Sequence, residues 1–225
     1  GLSVPPKLNA RNAAGFFSRP GWCMRYLFSE PFRLSSIPPE ASGGDTDISS
    51  VIKCISTLFE RRLTWRDIEW IAREWGGPLA VKGVLSGEDA KTAVSCGAST
   101  VMVSNHGGRQ LGAAIAPFEA LPRIADAVGG RAEIIVDGGI RRGTHIIKAL
   151  ALGADACCIG RPYLYGLAAG GEAGVLRAIE LLRDELERSM ALLGCTQLSY
   201  ISEQHIDDVS RGNGDQLPAA FTASA

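Results

Sequence analysis

Near residue 77 of this 225-residue chain the spacing of apolar positions changes. Beyond that point, short continuous apolar runs alternate with segments whose apolar residues recur every three or four positions. Leu79-Ala80-Val81-Lys82-Gly83, Thr100-Val101-Met102-Val103-Ser104, Glu133-Ile134-Ile135-Val136-Asp137 and Ala156-Cys157-Cys158-Ile159 read as four strands. Helices are predicted over 87–96, 118–128 and 144–152 between them, and a long amphipathic helix over 172–193 follows the fourth. Strands that are apolar throughout, alternating with helices, are buried on both faces, so the class is α/β with a parallel sheet and helices outside.

The first 77 residues behave differently. Pro5-Pro6, Pro20, Pro31, Pro38-Pro39 and Gly43-Gly44 punctuate a stretch with little periodicity. Short helices are predicted around Phe16-Phe17 and over 22–28, separated by Arg19-Pro20, then an exposed loop over 31–47 and a further short helix over 48–60. A firmer helix begins at Thr64, where Asp67 three residues on resembles a capping box with Asp in place of Glu or Gln. Trp65, Ile68, Ile71 and Trp75 follow at helical spacing, Gly76-Gly77 ends the helix, and the tryptophans are expected in the core. The domain division is therefore an irregular and helical segment over 1–77, a βα region over 78–195 and a tail over 196–225.

Composition adds exclusions. With 46% hydrophobic and 21% charged residues and a net charge of −1, the chain is of ordinary globular type, with no basic excess suited to nucleic acid. No apolar run approaches the roughly 20 residues of a membrane span, and Gly1-Leu2-Ser3-Val4-Pro5-Pro6 has no signal-peptide pattern. Cys23, Cys54, Cys96, Cys157, Cys158 and Cys195 form no Cys-x-x-Cys pair and have no His at metal-ligand spacing. They are expected to be buried small side chains in a reducing cytoplasm, with no metal site.

The candidate chemistry collects at the carboxyl ends of the four strands, where ligands bind in (β/α) barrels and open α/β sheets. Ser104-Asn105-His106-Gly107-Gly108-Arg109-Gln110 places an imidazole three residues from a guanidinium. The first can take a proton near neutral pH and the second can hold a carboxylate in its planar fork; taken alone, they equally suit a turn histidine and a surface charge. Lys82 puts a cation in an apolar strand, where it needs an acceptor, and an electron-rich cofactor ring is the acceptor expected. Asp137, Gly138, Gly139, Ile140 and Arg141, with Arg142 and Gly143 after them, open one helix, and Gly160 and Arg161 follow the next strand. Paired glycine turns on successive strands suit a phosphate at helix N-termini. His145 and His205 are expected to be structural or exposed, Tyr163 and Tyr165 to pack, and the charges over 177–188 to form a solvated helix face.

With those residues in place, the sequence resembles the FMN-dependent 2-hydroxy acid oxidase and dehydrogenase family, which includes glycolate and lactate oxidases, L-lactate dehydrogenase and mandelate dehydrogenase. The resemblance rests on Val81-Lys82-Gly83, Ser104 through Gln110, Asp137 through Gly143 and Gly160-Arg161, supported by Thr64 through Trp75 and Ala149-Leu150-Ala151-Leu152-Gly153-Ala154. It implies a (β/α)8 TIM-barrel type fold, of which this chain holds the C-terminal four βα units, and FMN as cofactor. It also implies that Lys82 contacts the flavin ring, that Ser104 lies against the cofactor, and that Asp137 to Arg141 with Gly160 and Arg161 bind the ribityl chain and phosphate. His106 would be the catalytic base and Arg109 the clamp on the carboxylate of an L-2-hydroxy acid. Oxygen, a quinone or a cytochrome would be the electron acceptor.

Two departures from the family pattern bear on this. Gly112 stands where the family has an aspartate. A full barrel needs eight βα units and about 250 residues, so the strands supplying a substrate tyrosine and the histidine's aspartate partner are expected before Gly1. The irregular stretch up to Ser50 corresponds to a variable insertion that touches the membrane in some relatives, so peripheral membrane contact is expected; a half-barrel leaves sheet edges and apolar surface uncovered, so homo-oligomer formation and little activity from this chain alone are expected. The alternatives are an enzyme like FMN-dependent isopentenyl diphosphate isomerase, which has no substrate carboxylate for Arg109, and a non-catalytic FMN-binding fragment.

Overall fold

The structure, a computed structural model, describes residues 15, 17–28, 60 and 62–206. The expectations for Phe16, for the 31–47 loop, for most of the 48–60 helix and for the tail beyond 206 lie outside the described residues. Contacts divide the chain into two units, Gly1–Leu63 and Thr64–Ala225.

In the first unit, helix α1 (Pro20–Leu27) begins with proline at its first position, where the missing N–H costs nothing. Trp22 and Tyr26, one turn apart, stack with ring centroids 5.3 Å apart. No residue of α1 is buried.

The second unit opens with α2 (Trp65–Trp75). The Asp67 carboxylate accepts both the backbone N–H and the hydroxyl of Thr64, at 2.6 and 2.7 Å, as the sequence suggests. Those bonds hold the Asp67 carboxyl below its ordinary range. The tryptophans depart from expectation. Ile68, Ile71 and Ala72 are half-buried, whereas Trp65 and Trp75 are 36% and 66% exposed. Among the described residues helix α2 is packed on one side, and Trp75 folds back to donate Nε1–H to the Pro78 carbonyl.

Strands β1 (Ala80–Val84), β2 (Thr100–Ser104), β3 (Glu133–Asp137) and β4 (Ala156–Cys158) alternate with helices α3 (Gly87–Ser95), α4 (Pro117–Val128) and α5 (Gly143–Ala151), and α6 (Arg161–Leu192) follows. All strands are parallel and in the order β1-β2-β3-β4. An order that never reverses is that of a (β/α)8 sheet; a doubly wound sheet has a switch point. Side-chain alternation sorts the strands' two faces. Val101, Val103, Ile134 and Val136 pack under the helices against Ala90, Ala93, Ala120, Leu121, Ile124, Val128 and Ala149. Lys82, Met102, Ile135 and Ala156 are aligned in register on the other face, as are Ser104, Asp137 and Cys158.

The sequence reading misses one break. Helix α6 starts eleven residues before the expected 172, and Gly170 and Gly171 leave helical geometry inside it. The chain turns back there: a Cβ on Gly166 would stand 2.4 Å from the Gly174 carbonyl, so the two limbs cross with only glycine between them. Tyr165, expected to pack, is 68% exposed on the first limb. Of the described cysteines, Cys195 is buried, while Cys23, Cys96, Cys157 and Cys158 are only partly so. Burial, aided by the neighbouring Cys158, pushes the Cys157 thiol up to about 11, so it carries no thiolate near neutral pH.

Candidate active site

The carboxyl ends of the four strands surround a cavity of about 480 Å³, within the range of small-molecule sites. Lys82, His106, Arg109, Asp137, Gly138, Gly139, Ile140, Arg141, Gly160 and Arg161 all line it. Of the residues to which the resemblance gives a role, Ser104 alone does not. It is fully buried beneath the cavity and joins the others: its Oγ accepts from Lys82 Nζ at 2.9 Å and from the His106 backbone N–H at 3.1 Å, and donates to Asp137 Oδ2 at 2.7 Å.

Lys82 is not the buried cation its strand suggests. Its side chain is 42% exposed on the sheet's open face, and its acceptor is Asp137, with which it forms an ion pair. Partial burial pushes the Asp137 carboxyl up, but hydrogen bonds from Lys82 and Ser104 and the charges of Lys82 and His106 outweigh it, leaving the group below its ordinary value. A carboxylate held low in the folded state contributes stability above its unfolded pKa and loses it as pH falls through the folded pKa. Lys82→Met is therefore expected to lower stability at pH 7 by no more than about 1 kcal/mol, given the exposure of the pair. The difference from wild type should shrink in urea titrations as pH falls below about 4, the ordinary aspartate value, and vanish once pH is below the lower folded-state pKa of Asp137. An undiminished difference there would show that packing of the lysine stem, not charge, is responsible.

His106 sits at φ +56°, the only non-glycine residue at positive φ among those described. The turn that holds it is a 3-10 helix (His106–Gly108), tied by Asn105, whose Oδ1 accepts the Gly108 N–H and whose Nδ2 donates to the Ile115 carbonyl. Opposite the ring, the β1–β2 register slips between Lys82 and Val84 and leaves Gly83 as a bulge at φ +99°. A Cβ there would lie 3.1 Å from His106 Cε1. Gly83→Ala is expected to displace the imidazole, seen as a changed Cε1–H resonance for His106 with those of His145 and His205 unmoved. An unmoved His106 signal would mean that the bulge does not support the ring.

The two arginines at the start of α5 separate. Arg141 faces the cavity, whereas Arg142 forms an ion pair with Glu185 of α6. The Glu185 carboxylate also accepts the Gly143 N–H at 2.9 Å, so the first amide of α5 is already capped. Hydrogen bonds from Arg142 and Gly143 hold Glu185 below its ordinary range. Glu185 lies in the charge run predicted to be a solvated face, and its partners 42 and 43 residues away leave no local signal. The first turn of α6 remains at the cavity, with Arg161 donating one N–H to the Gly107 carbonyl at 3.2 Å.

The cavity suits a phosphorylated, electron-rich ligand. Lys82, Arg141 and Arg161 supply positive charge, and Gly138 and Gly139, at φ +133° and +78°, let backbone approach a ligand. A Cβ on Gly160 would meet no atom of the chain, so the space above its backbone is open. A parallel βα sheet with an anion-suited mouth beside an imidazole defines a phosphate-cofactor α/β protein, and the flavin class fits it.

The sequence profile of the FMN-dependent dehydrogenases matches residues 1–208. The chain belongs to that family. It is 59% identical over 139 residues to an L-lactate oxidase of Nostoc sp. (strain PCC 7120), covering 62% of this chain and 38% of that one. An L-lactate dehydrogenase of Caulobacter vibrioides is 41% identical over 199 residues, 88% of this chain and 52% of that one. Among solved structures, a monotopic membrane protein, (S)-mandelate dehydrogenase, superposes with a TM-score of 0.83 at 33% identity, covering 91% of this chain and 54% of that one. The chain thus spans about half or less of the length of the curated relatives it matches. These relatives act on hydroxy acids and lend the isopentenyl diphosphate isomerase alternative no support.

Proposed function

We propose that this chain provides the cofactor-contacting and proton-accepting half of an enzyme that oxidises an L-2-hydroxy acid of the lactate or mandelate type to the 2-oxo acid. The observation that carries the reading is the convergence of His106, Arg109, Lys82, Arg141 and Arg161 from four strand ends on one cavity, in a member of an FMN-dependent family. Asp137 to Arg141 with Gly160 and Arg161 hold the ribityl chain and phosphate of FMN, and Lys82 faces its ring. Ser104 acts from behind, fixing Lys82, Asp137 and the His106 backbone together. Arg109 holds the substrate carboxylate in its fork. The reaction removes two electrons and two protons from the hydroxyl-bearing carbon and its oxygen, and a ring nitrogen of His106 takes up one proton. Bound FMN would supply the acceptor for the two electrons and the other proton.

One observation favours a second reading, that the chain binds FMN without turning substrate over. Among the described residues no carboxylate hydrogen-bonds to the His106 ring, and a partnered base is the better oriented one. Association with another copy and peripheral membrane contact belong to the same proposal; exposed Leu167, Leu176, Ile179 and Leu181 on α6 supply apolar surface for them. No helix among the described residues is long and apolar enough to cross a membrane.

Saturating the protein with FMN and adding lactate, glycolate or mandelate without oxygen tests both readings. Bleaching of the visible flavin band supports turnover, binding without bleaching supports the second reading, and absence of binding overturns the phosphate site.

A further inference from the structure

Behind the cavity-lining loop, one imidazole nitrogen meets two groups that require it in opposite states. His145, in the first turn of α5, has Nδ1 3.3 Å from the Arg141 backbone nitrogen and 3.1 Å from the Gly139 carbonyl oxygen. A bare Nδ1 can accept the Arg141 N–H; only a protonated one can donate to the Gly139 carbonyl. Phe118 of α4 stands edge-on to the imidazole, ring centroids 6.5 Å apart, and the same phenyl ring borders Gly139. His145 does not itself line the cavity, but Gly139 and Arg141 both do.

We propose that His145 is a positioning residue for the anion loop, deciding whether the Arg141 amide is available to a phosphate-class anion. The inference rests on the reading of this loop as the cofactor's phosphate site. With Nδ1 bare, the imidazole holds the Arg141 N–H to itself. With Nδ1 protonated in the imidazolium, it binds the Gly139 carbonyl, releases the Arg141 N–H toward the cavity and adds a positive charge behind the loop. The charged groups that meet this turn are Arg141 on the cavity side, Arg142 and Glu185, which are paired with each other, and Asp137 at the end of β3, which is paired with Lys82. From α4 comes the edge of Phe118. Linkage is reciprocal: if protonation opens the loop to an anion, a bound anion favours protonation by the same factor. Anion affinity therefore rises as pH falls through the imidazole's titration.

The test uses the chain and its His145→Asn variant, whose side-chain oxygen can take the place of Nδ1 as acceptor but does not titrate. Without ligand, the Arg141 amide resonance is expected to move together with the His145 ring signal as the sample is taken from about pH 8 to about pH 6, and to stay still in the variant. An amide that ignores the ring's titration overturns the inference. Sulfate, which keeps its charge over that range, is then titrated at pH 8 and pH 6, and FMN after it. Wild type is expected to gain roughly fivefold in affinity relative to the variant at the lower pH, the small end of common coupling strengths; equal pH dependence in the two proteins overturns the inference. If neither anion binds at either pH, the phosphate-site reading itself is overturned, and the ligand-free titration distinguishes that result from failure of the His145 contact.

Discussion

Replacing His106 with asparagine is expected to slow reduction of bound FMN by an L-2-hydroxy acid about 10²–10⁴-fold, the usual contribution of a positioned general base, while FMN stays bound. Asparagine is the informative substitution because of the backbone. His106 sits at φ +56°, a region that asparagine tolerates and that costs other residues roughly 1–2 kcal/mol. An alanine would strain the turn as well as remove the imidazole, and the Ser104–His106 backbone bond would suffer with it. Asparagine leaves the turn, the Asn105 ties and the Lys82–Ser104–Asp137 cluster in place. Anaerobic rapid mixing measures the bleaching rate, and flavin fluorescence measures binding separately. Bleaching at the wild-type rate would remove His106 from the mechanism. Equal loss of binding and rate would make it a structural residue.

Much of the sheet was legible because each strand carries its own evidence. The runs from Thr100 and Glu133 coincide with β2 and β3 to the residue, since an apolar run ended by a polar residue and a glycine-rich turn is complete within about eight positions. The strand ends were legible for a second reason: a parallel sheet brings all its carboxyl ends to one side, so four separate polar endings imply one site. Interactions between distant residues were not legible. Lys82 reads as a cation in search of a ligand, because nothing nearby in sequence shows Asp137, 55 residues on, beside it. Glu185 reads as one more solvated charge, although it caps α5 and ties α5 to α6. The tryptophans of α2 satisfy a helical period, which identifies the helix but not how much of its circumference is covered.

The joint between α5 and α6 should be a sensitive point of the second unit, and Gly143→Ala is expected to destabilise the protein by about 3 kcal/mol or more. Helix propensity alone points the other way, since alanine within a helix is favoured over glycine by about 1 kcal/mol. Space decides the sign. A Cβ on Gly143 would stand 2.2 Å from the Leu186 nitrogen, 2.7 Å from the Glu185 carbonyl carbon and 2.8 Å from the Leu182 oxygen. All three are backbone atoms of α6, so no change of side-chain rotamer relieves the clash and the helices must part. Parting them breaks the bond from Gly143 N–H to Glu185 and the Arg142–Glu185 pair, and opens the packing of Ile147 and Ala151 with Leu186 and Met190. For a protein of this size such a loss lowers the melting temperature by about 6–12 °C. Gly112→Ala is the control, because a Cβ there meets nothing within 4 Å and the melting temperature should hold. Because α5 carries the Gly139–Arg141 loop at its start, Gly143→Ala should also weaken FMN binding at temperatures where the chain is still folded. A variant that melts like wild type would show that α5 and α6 can separate freely, and that the glycine is required for neither the joint nor the loop it supports.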